Sequence, residues 1–145
     1  MKRCFNIITF VSIIVLSTCP NYFAQVYGEL FTNSEAEQKF GPVLVSVKVP
    51  TETVQDLLNQ TYNYIMFKIV NNSVIVLDNN RNSIYPREKS INAQDVFTLF
   101  SVSIVNDLLS NGNHPYVYVE QRSEVLTISY GEYTLELGSI CPPFC

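Results

Sequence analysis

The chain has 145 residues, of which 47% are hydrophobic and 15% charged, and its formal net charge is −4. This composition excludes a disordered, low-complexity chain, which would have few apolar residues and a high density of charge. The acidic balance also argues against nucleic-acid binding, because an acidic surface repels phosphates.

Residues 1–24 have the features of a secretory signal peptide. Lys2 and Arg3 form a basic start, an apolar run follows over residues 5–16, and the best cleavage position is after Ala24. The apolar run is short of the roughly 20 residues that a membrane-spanning helix needs. The pattern therefore predicts a secreted or periplasmic protein.

Two alternatives to cleavage after Ala24 remain open. Leu16-Ser17-Thr18-Cys19 approximates a bacterial lipobox, which predicts lipidation of Cys19 and a protein anchored by lipid to the cell envelope. A retained N-terminal segment would instead be a membrane anchor. A membrane is a partner only in these two cases, and in all three the folded part faces an extracytoplasmic space.

The remainder of the chain is long enough for one domain. Without Lys2 and Arg3 it carries 7 basic and 13 acidic side chains, a net charge of −6. We expect an N-terminal extension over residues 25–41, a single domain over 42–138 and a C-terminal tail over 139–145. Within the extension, Ser34 is expected to cap a short helix, with Glu37 as its capping-box partner.

The first half of the domain reads as strand, helix and hairpin. Residues 43–49 alternate valine with other residues, which predicts a strand. Thr51 is expected to cap the short amphipathic helix that follows. Strand-like runs over 64–70 and 74–77 are joined by Asn71-Asn72, and a tight hairpin turn is expected there because asparagine tolerates positive φ.

The same order of features recurs about 51 residues later. We expect a strand over 96–100 and a helix over 103–110. A hairpin of strands 116–121 and 125–129 and a last strand over 133–137 are expected to follow. This recurrence predicts candidate repeats at 43–80 and 94–131. One long helix over 92–111 is the competing interpretation of the middle of the chain.

Together these elements predict an α+β fold. We expect a mainly antiparallel sheet with short helices on one face, built from two successive β-α-β-β units. Such an arrangement buries both apolar hairpin faces and requires no cofactor.

The Cys-Pro-Pro-Phe-Cys stretch over 141–145 is the most distinctive local motif. In an oxidising compartment, a structural disulfide between Cys141 and Cys145 is the expected use of these residues. Its five-residue ring would stabilise the fold by about 2 kcal/mol. A structural zinc site would need four ligands, which these two cysteines and His114 do not supply, so no metal is expected.

No catalytic residues are predicted. His114 lies in a turn sequence without a serine nucleophile motif, and Glu132 and Glu136 on one strand would lie about 13 Å apart. Glycosidase carboxylates need about 5–10 Å. Glu132 and Glu136 are therefore expected on a solvated strand face.

Four tyrosines near the second hairpin are the candidate binding residues. They are Tyr116, Tyr118, Tyr130 and Tyr133. Tyrosine is common at interfaces because its apolar ring carries a polar tip. We expect an exported, non-enzymatic module that binds a protein, peptide or glycan through this tyrosine-bearing face or through a free sheet edge. The alternatives are an extracytoplasmic hydrolase that uses carboxylates and a lipid-anchored structural envelope protein.

Overall fold

The computed structural model describes residues 25–142, which form two five-stranded antiparallel sheets and three short helices. In spatial order, sheet A contains β1 (Glu29–Thr32), β9 (Tyr133–Glu136), β8 (Leu126–Tyr130), β7 (Tyr116–Gln121) and β2 (Val45–Pro50). Sheet B contains β10 (Ser139–Cys141), β6 (Phe97–Ser101), β3 (Tyr64–Val70), β4 (Ser73–Leu77) and β5 (Ser83–Tyr85). The mixed α+β class and the antiparallel pairing are confirmed, with two sheets instead of one.

The three helices have eight residues each. They are α1 (Asn33–Phe40), α2 (Thr51–Leu58) and α3 (Val102–Leu109). Apolar residues at helical spacing on α2 and α3 are buried in the main core, whereas Phe40 of α1 packs its ring on Phe31 of β1. The helices therefore do not share one face of one sheet.

Each sheet combines strands from both halves of the chain. β2 pairs with β7 in sheet A, and β6 pairs with β3 in sheet B. The strand that precedes each helix thus joins the sheet built around the other hairpin. Local sequence does not encode this exchange, because both pairings join strands that are far apart in the chain.

The main core lies between the inner faces of the two sheets. Alternate residues of β3 and β4, including Phe67 and Val76, meet alternate residues of β7 and β8, including Val119 and Ile128. This alternation follows from the period of two along a strand. A second apolar cluster covers the other face of sheet B and contains Met66, Ile75, Leu77, Phe97, Leu99 and Cys141.

The outer face of sheet A is polar. Thr127, Ser129 and Thr134 point away from the core on β8 and β9, and all three are buried. Buried polar side chains are stable only with hydrogen-bond partners. This face is therefore the part of the fold where a polar network is expected.

The N-cap residues of α1 and α2 differ from those that the sequence predicted. Thr32, and not Ser34, is the N-cap of α1, and Glu35, and not Glu37, completes the capping box. Thr51 is the first residue of α2 after Pro50, and its hydroxyl donates to the carbonyl of His114 at 2.7 Å. The Thr51 hydroxyl, which was expected to cap α2, therefore makes a tertiary hydrogen bond to the 111–115 loop instead.

Both ends of the described chain belong to the sheets. Residues 25–41, expected as an extension, supply β1 and α1, and residues 139–141 of the expected tail form β10. The middle of the chain forms strand β6 followed by α3 instead of one helix over 92–111. Of its β-branched residues, Thr98 lies in β6, whereas Val102, Ile104 and Val105 lie in α3. Pairing of β6 with β3 and β10, and not β-branched content, therefore determines where the strand ends and the helix begins.

Three predictions fall outside residues 25–142. The signal peptide over 1–24, the lipidation of Cys19 and the Cys145 half of the disulfide remain predictions. Within the described part of the chain, no helix has the length and hydropathy to span a bilayer.

Candidate functional site

The four tyrosines named as binding residues divide between the two faces of sheet A. Tyr116 and Tyr118 lie on the outer face of β7, with 37% and 40% of their surfaces exposed. Tyr130 is only 2% exposed in the core, and Tyr133 packs against the same core. The structure therefore brings Tyr116 and Tyr118 together and places the other two on the inner face.

Tyr130 holds a loop instead of facing solvent. Its hydroxyl accepts a hydrogen bond from the backbone N–H of His114 at 2.9 Å and donates to the carbonyl of Gly112 at 3.2 Å. Its ring meets the imidazole of His114 edge to face, with centroids 5.0 Å apart. Tyr130 thereby fixes the loop over residues 111–115, which leads into Tyr116.

A close contact with Gly131 holds His114 in place. Gly131 lies in the β8–β9 turn at φ +59°, and a Cβ there would come within 2.3 Å of His114 Nε2. Glycine is required at this position both by its backbone angle and by the imidazole beside it. The imidazole and the β8–β9 turn therefore form one packed unit.

An open cleft, here called the His114 cleft, lies at the start of β7. Its volume is about 570 Å³, and it is bordered by the first turn of α2 and the 112–115 loop. Its lining includes Glu52, Gln55, Asn113, His114 and Tyr116. The side chains of Gln55 and Asn113 make no hydrogen bond to another residue of the described chain, so both amides are available to a ligand.

A second open cleft, here called the Glu120 cleft, lies on the outer face of sheet A. Its volume is about 590 Å³, and its lining includes Glu37, Ser46, Tyr118, Glu120 and Arg122. Tyr116 lines the first cleft and Tyr118 the second, and the two residues are two positions apart on β7. The exposed tyrosines thus join the His114 cleft and the Glu120 cleft.

A row of polar side chains, joined by two hydrogen bonds and one contact between hydroxyls, lies beneath the Glu120 cleft. Asn33 Oδ1 accepts from Thr134 Oγ1 at 2.8 Å, and the Thr134 and Ser129 hydroxyls lie 2.9 Å apart. Ser129 Oγ donates to Glu120 Oε2 at 2.7 Å. These bonds fix the Glu120 carboxylate before any ligand arrives.

Arg122 closes the same network from the other side. Its guanidinium is buried, donates to the carbonyl of Gly41 and to Thr127 Oγ1, and lies 3.5 Å from Glu120 Oε2. A buried guanidinium is tolerated only when its charge and its donors are matched. Arg122 therefore ties the segment after α1 to the sheet that carries the cleft.

Lys48 on the neighbouring edge strand β2 completes this surface. It lies opposite Tyr118 in the β2–β7 register, and its ammonium lies 5.0 Å from the centroid of the Tyr116 ring. A cation at this distance from an aromatic ring is attracted to it. Lys48 therefore holds the Tyr116 ring while leaving part of it exposed.

Glu132 and Glu136 do not form an accessible pair of carboxylates. Glu132 is exposed, but Glu136 is only 4% exposed, so the expectation of a solvated face was wrong for Glu136. Burial raises the pKa of the Glu136 carboxyl, although the Leu137 N–H and Lys39 oppose this shift. Glu120 lines the Glu120 cleft, whereas Glu136 lines neither this cleft nor the His114 cleft.

Cys141 and His114, the other candidates for chemistry, have structural roles in the fold. Cys141 is fully buried in the second apolar cluster, and Arg81 Nη1 donates to its sulfur at 2.9 Å. Within residues 25–142, no group of three or more His, Cys, Asp or Glu residues could hold a metal ion. His114 serves as a packing residue of its loop.

Sequence reasoning missed the network of Asn33, Glu120, Arg122, Ser129 and Thr134. The available signal was the alternation of Thr127 and Ser129 with Leu126, Ile128 and Tyr130, which marks a polar outer face. Comparison with known proteins adds nothing to this geometry, because no family model, curated protein or solved structure matches the chain.

Proposed function

We propose that this protein is an exported, non-enzymatic binding module and that its binding surface is the β7 face. The β7 face is defined here as Tyr116 and Tyr118 together with the His114 cleft and the Glu120 cleft that they join. Its shape fits a ligand that lies along the strand. A macromolecular partner, which offers an extended segment, matches this shape better than a compact metabolite.

The observation that carries the proposal is the pair of exposed tyrosines that connects two clefts. Tyr116 and Tyr118 lie about 7 Å apart along the strand, on the same face. Aromatic side chains at such positions are enriched where proteins bind their partners. Two aromatic rings in line, with polar clefts at both ends, favour contact with several successive units of a polymeric ligand.

The surroundings of these rings are rigid, which favours binding. The hydrogen bonds of Tyr130 fix the loop at one end, and the Arg122–Glu120–Ser129 network fixes the other end. A surface that is ordered before binding loses less conformational entropy when its ligand arrives. The β-sheet beneath the tyrosines thus serves as a preorganised platform.

Export is part of the proposal and rests on the sequence. The basic and apolar start of residues 1–24 supports a secreted or periplasmic location. Lipidation at Cys19 would place the same module on the cell envelope instead. Intact-mass analysis of the exported protein distinguishes these cases, because each gives a different N-terminus.

The carboxylate hydrolase has weaker support. A hydrolase of this kind needs two carboxyl groups that both reach the substrate. Glu136 is buried outside both clefts. Glu37 and Glu120 both line the Glu120 cleft, but the Glu120 carboxylate already accepts from Ser129 and lies beside the Arg122 guanidinium. We therefore favour the binding module.

We further propose that the chain carries two duplicated β-α-β-β units. The bounds of α2 and α3 differ by 51 positions at both ends, and each helix follows a strand directly and precedes a hairpin. The exchange of the first strands between the sheets supports this interpretation, because a two-fold arrangement of equal units would produce it. Only the second unit carries the exposed tyrosine pair.

The experiment that tests the binding surface is a capture assay with matched tyrosine variants. Wild-type protein, the double variant Tyr116→Ala/Tyr118→Ala and the control Tyr62→Ala are immobilised and exposed to a cell-surface extract. Tyr62 is 85% exposed and lines a different cleft, so it controls for the loss of an exposed ring. We expect capture by the wild type and by Tyr62→Ala, and loss of the same species with the double variant. Equal capture by all three would refute the assignment.

A further inference from the structure

We infer that the ligand of the β7 face is a neutral glycan chain. This inference rests on the proposed function and specifies its ligand class. It follows from three properties of the face: its length, the balanced charge around Tyr118 and the kind of hydrogen-bonding groups that line it.

The length of the face fits several sugar units. The His114 cleft, Tyr116, Tyr118 and the Glu120 cleft follow one another along β7, with volumes of about 570 and 590 Å³ at the two ends. Each sugar ring presents a face of C–H groups that can pack on an exposed aromatic ring. Two tyrosines in line therefore fit two or more units of an oligosaccharide.

The charges around Tyr118 cancel. Glu37 and Glu120 contribute two negative charges, and Arg122 and Lys48 contribute two positive charges. Glu120 and Arg122 already neutralise each other at 3.5 Å. A strongly charged ligand would gain no net electrostatic attraction around Tyr118, whereas a neutral ligand needs none. Glu52 in the His114 cleft adds one further carboxylate, which disfavours an anionic ligand.

The hydrogen-bonding groups at the rim both donate and accept. Gln55 and Asn113 at one end offer amides, and Ser46 at the other offers a hydroxyl, none of which bonds to another residue of the described chain. Sugar hydroxyls also donate and accept, so each can pair with such groups. Backbone-directed peptide binding needs an exposed row of backbone groups, which β7 does not offer because it is paired on both sides. A peptide added to the free edge of β2 would lie beside the sheet and not over Tyr116 and Tyr118.

The test is titration of the full folded protein with neutral trisaccharides, followed by NMR. Cellotriose, maltotriose and triacetylchitotriose serve as probes. At least one should shift the amide signals of residues 116–120 and 112–114. Tyr118→Ala should weaken this binding on the order of tenfold, whereas Tyr118→Phe and Tyr62→Ala should retain it. The phenylalanine variant separates ring packing from the hydroxyl group.

Two further probes distinguish this inference from the proposed function. Tetralysine and dextran sulfate represent cationic and anionic ligands. If either shifts the same signals while none of the three sugars does, the glycan inference is wrong. If no sugar binds but capture still depends on Tyr116 and Tyr118, the glycan inference again fails and the binding surface stands. If capture is also independent of both tyrosines, both proposals fail.

Discussion

The hydroxyl of Tyr130 and the backbone N–H of His114 form a 2.9 Å hydrogen bond that joins the core of sheet A to the loop leading into Tyr116. The same hydroxyl donates to Gly112, so one buried side chain satisfies two backbone groups of the loop. This relationship links the stability of the core to the shape of the His114 cleft.

Tyr130→Phe should therefore lower both stability and binding. The change leaves the His114 N–H without its acceptor, and we expect a loss of about 1–2 kcal/mol in the free energy of unfolding. Urea denaturation measures this loss. Tyr133→Phe is the matched control, because no hydrogen bond of the Tyr133 hydroxyl is found within residues 25–142. An equal loss of unfolding free energy in Tyr130→Phe and Tyr133→Phe would contradict the role assigned to the Tyr130 hydroxyl.

Arg122→Ala should be strongly destabilising. The substitution leaves the Gly41 carbonyl unbonded and removes the charge beside Glu120, which is itself mostly buried. Loss of one partner from such a pair costs roughly 3–5 kcal/mol. Arg87→Ala, on an exposed arginine, should change stability by less than about 0.5 kcal/mol. An Arg122→Ala protein as stable as the Arg87→Ala control would contradict the network described here.

Glu136→Gln should raise stability at neutral pH. Burial raises the pKa of Glu136, so the folded protein binds this proton more tightly than the unfolded chain does. The resulting stabilisation is complete below the ordinary pKa of 4.5 and is lost as pH rises through the raised value. The variant should thus exceed the wild type in stability at pH 7, and its advantage should disappear as pH falls below 4.5.

Glu35→Gln provides a control of opposite sign for the pH experiment. Hydrogen bonds from the Thr32 backbone and side chain lower the pKa of Glu35. This carboxylate stabilises the fold above its ordinary pKa, and the effect is lost as pH falls. Glu35→Gln should therefore be less stable than the wild type at pH 7, with the difference closing in acid. The same sign for both variants would show that burial of Glu136 does not govern its titration.

Cys145→Ser should lower stability by up to about 2 kcal/mol if the predicted C-terminal disulfide forms. Mass spectrometry after alkylation, with and without reductant, measures the bond directly. The exported protein should take up label at Cys141 and Cys145 only after reduction. Labelling of Cys145 without reductant would refute the disulfide. Cys145→Ser is preferable to a change at Cys141, because Cys141 is fully buried.

Periodicity in the sequence predicted most of the individual elements but not their assembly. The hairpin at Asn71-Asn72 is present, with φ values of 50° and 57°, and the predicted strands of both hairpins appear with shifts of a few residues at most. The short strands β1, β5 and β10 were missed. They have three or four residues each, too few for alternation to show, and they are ordered by pairing with distant strands.

The division of the tyrosines was not visible from the sequence. Tyr118 lies opposite Ser129 in the β7–β8 register, so Tyr130, one residue further, points to the other face. All five residues of β8 are buried, because the polar network covers its outer side. Assigning faces from exposure patterns therefore fails at this strand, and only the register reveals which tyrosines are available.

Photo-crosslinking from the β7 face in the cells that produce the protein tests the central claim most directly. Benzoylphenylalanine is placed at position 118 in one variant and at position 62 in another. Its benzophenone group reacts with C–H bonds of proteins and sugars alike. We predict a discrete adduct from position 118 that position 62 does not give. No adduct from position 118, or the same adduct from both positions, would contradict a binding function for this surface.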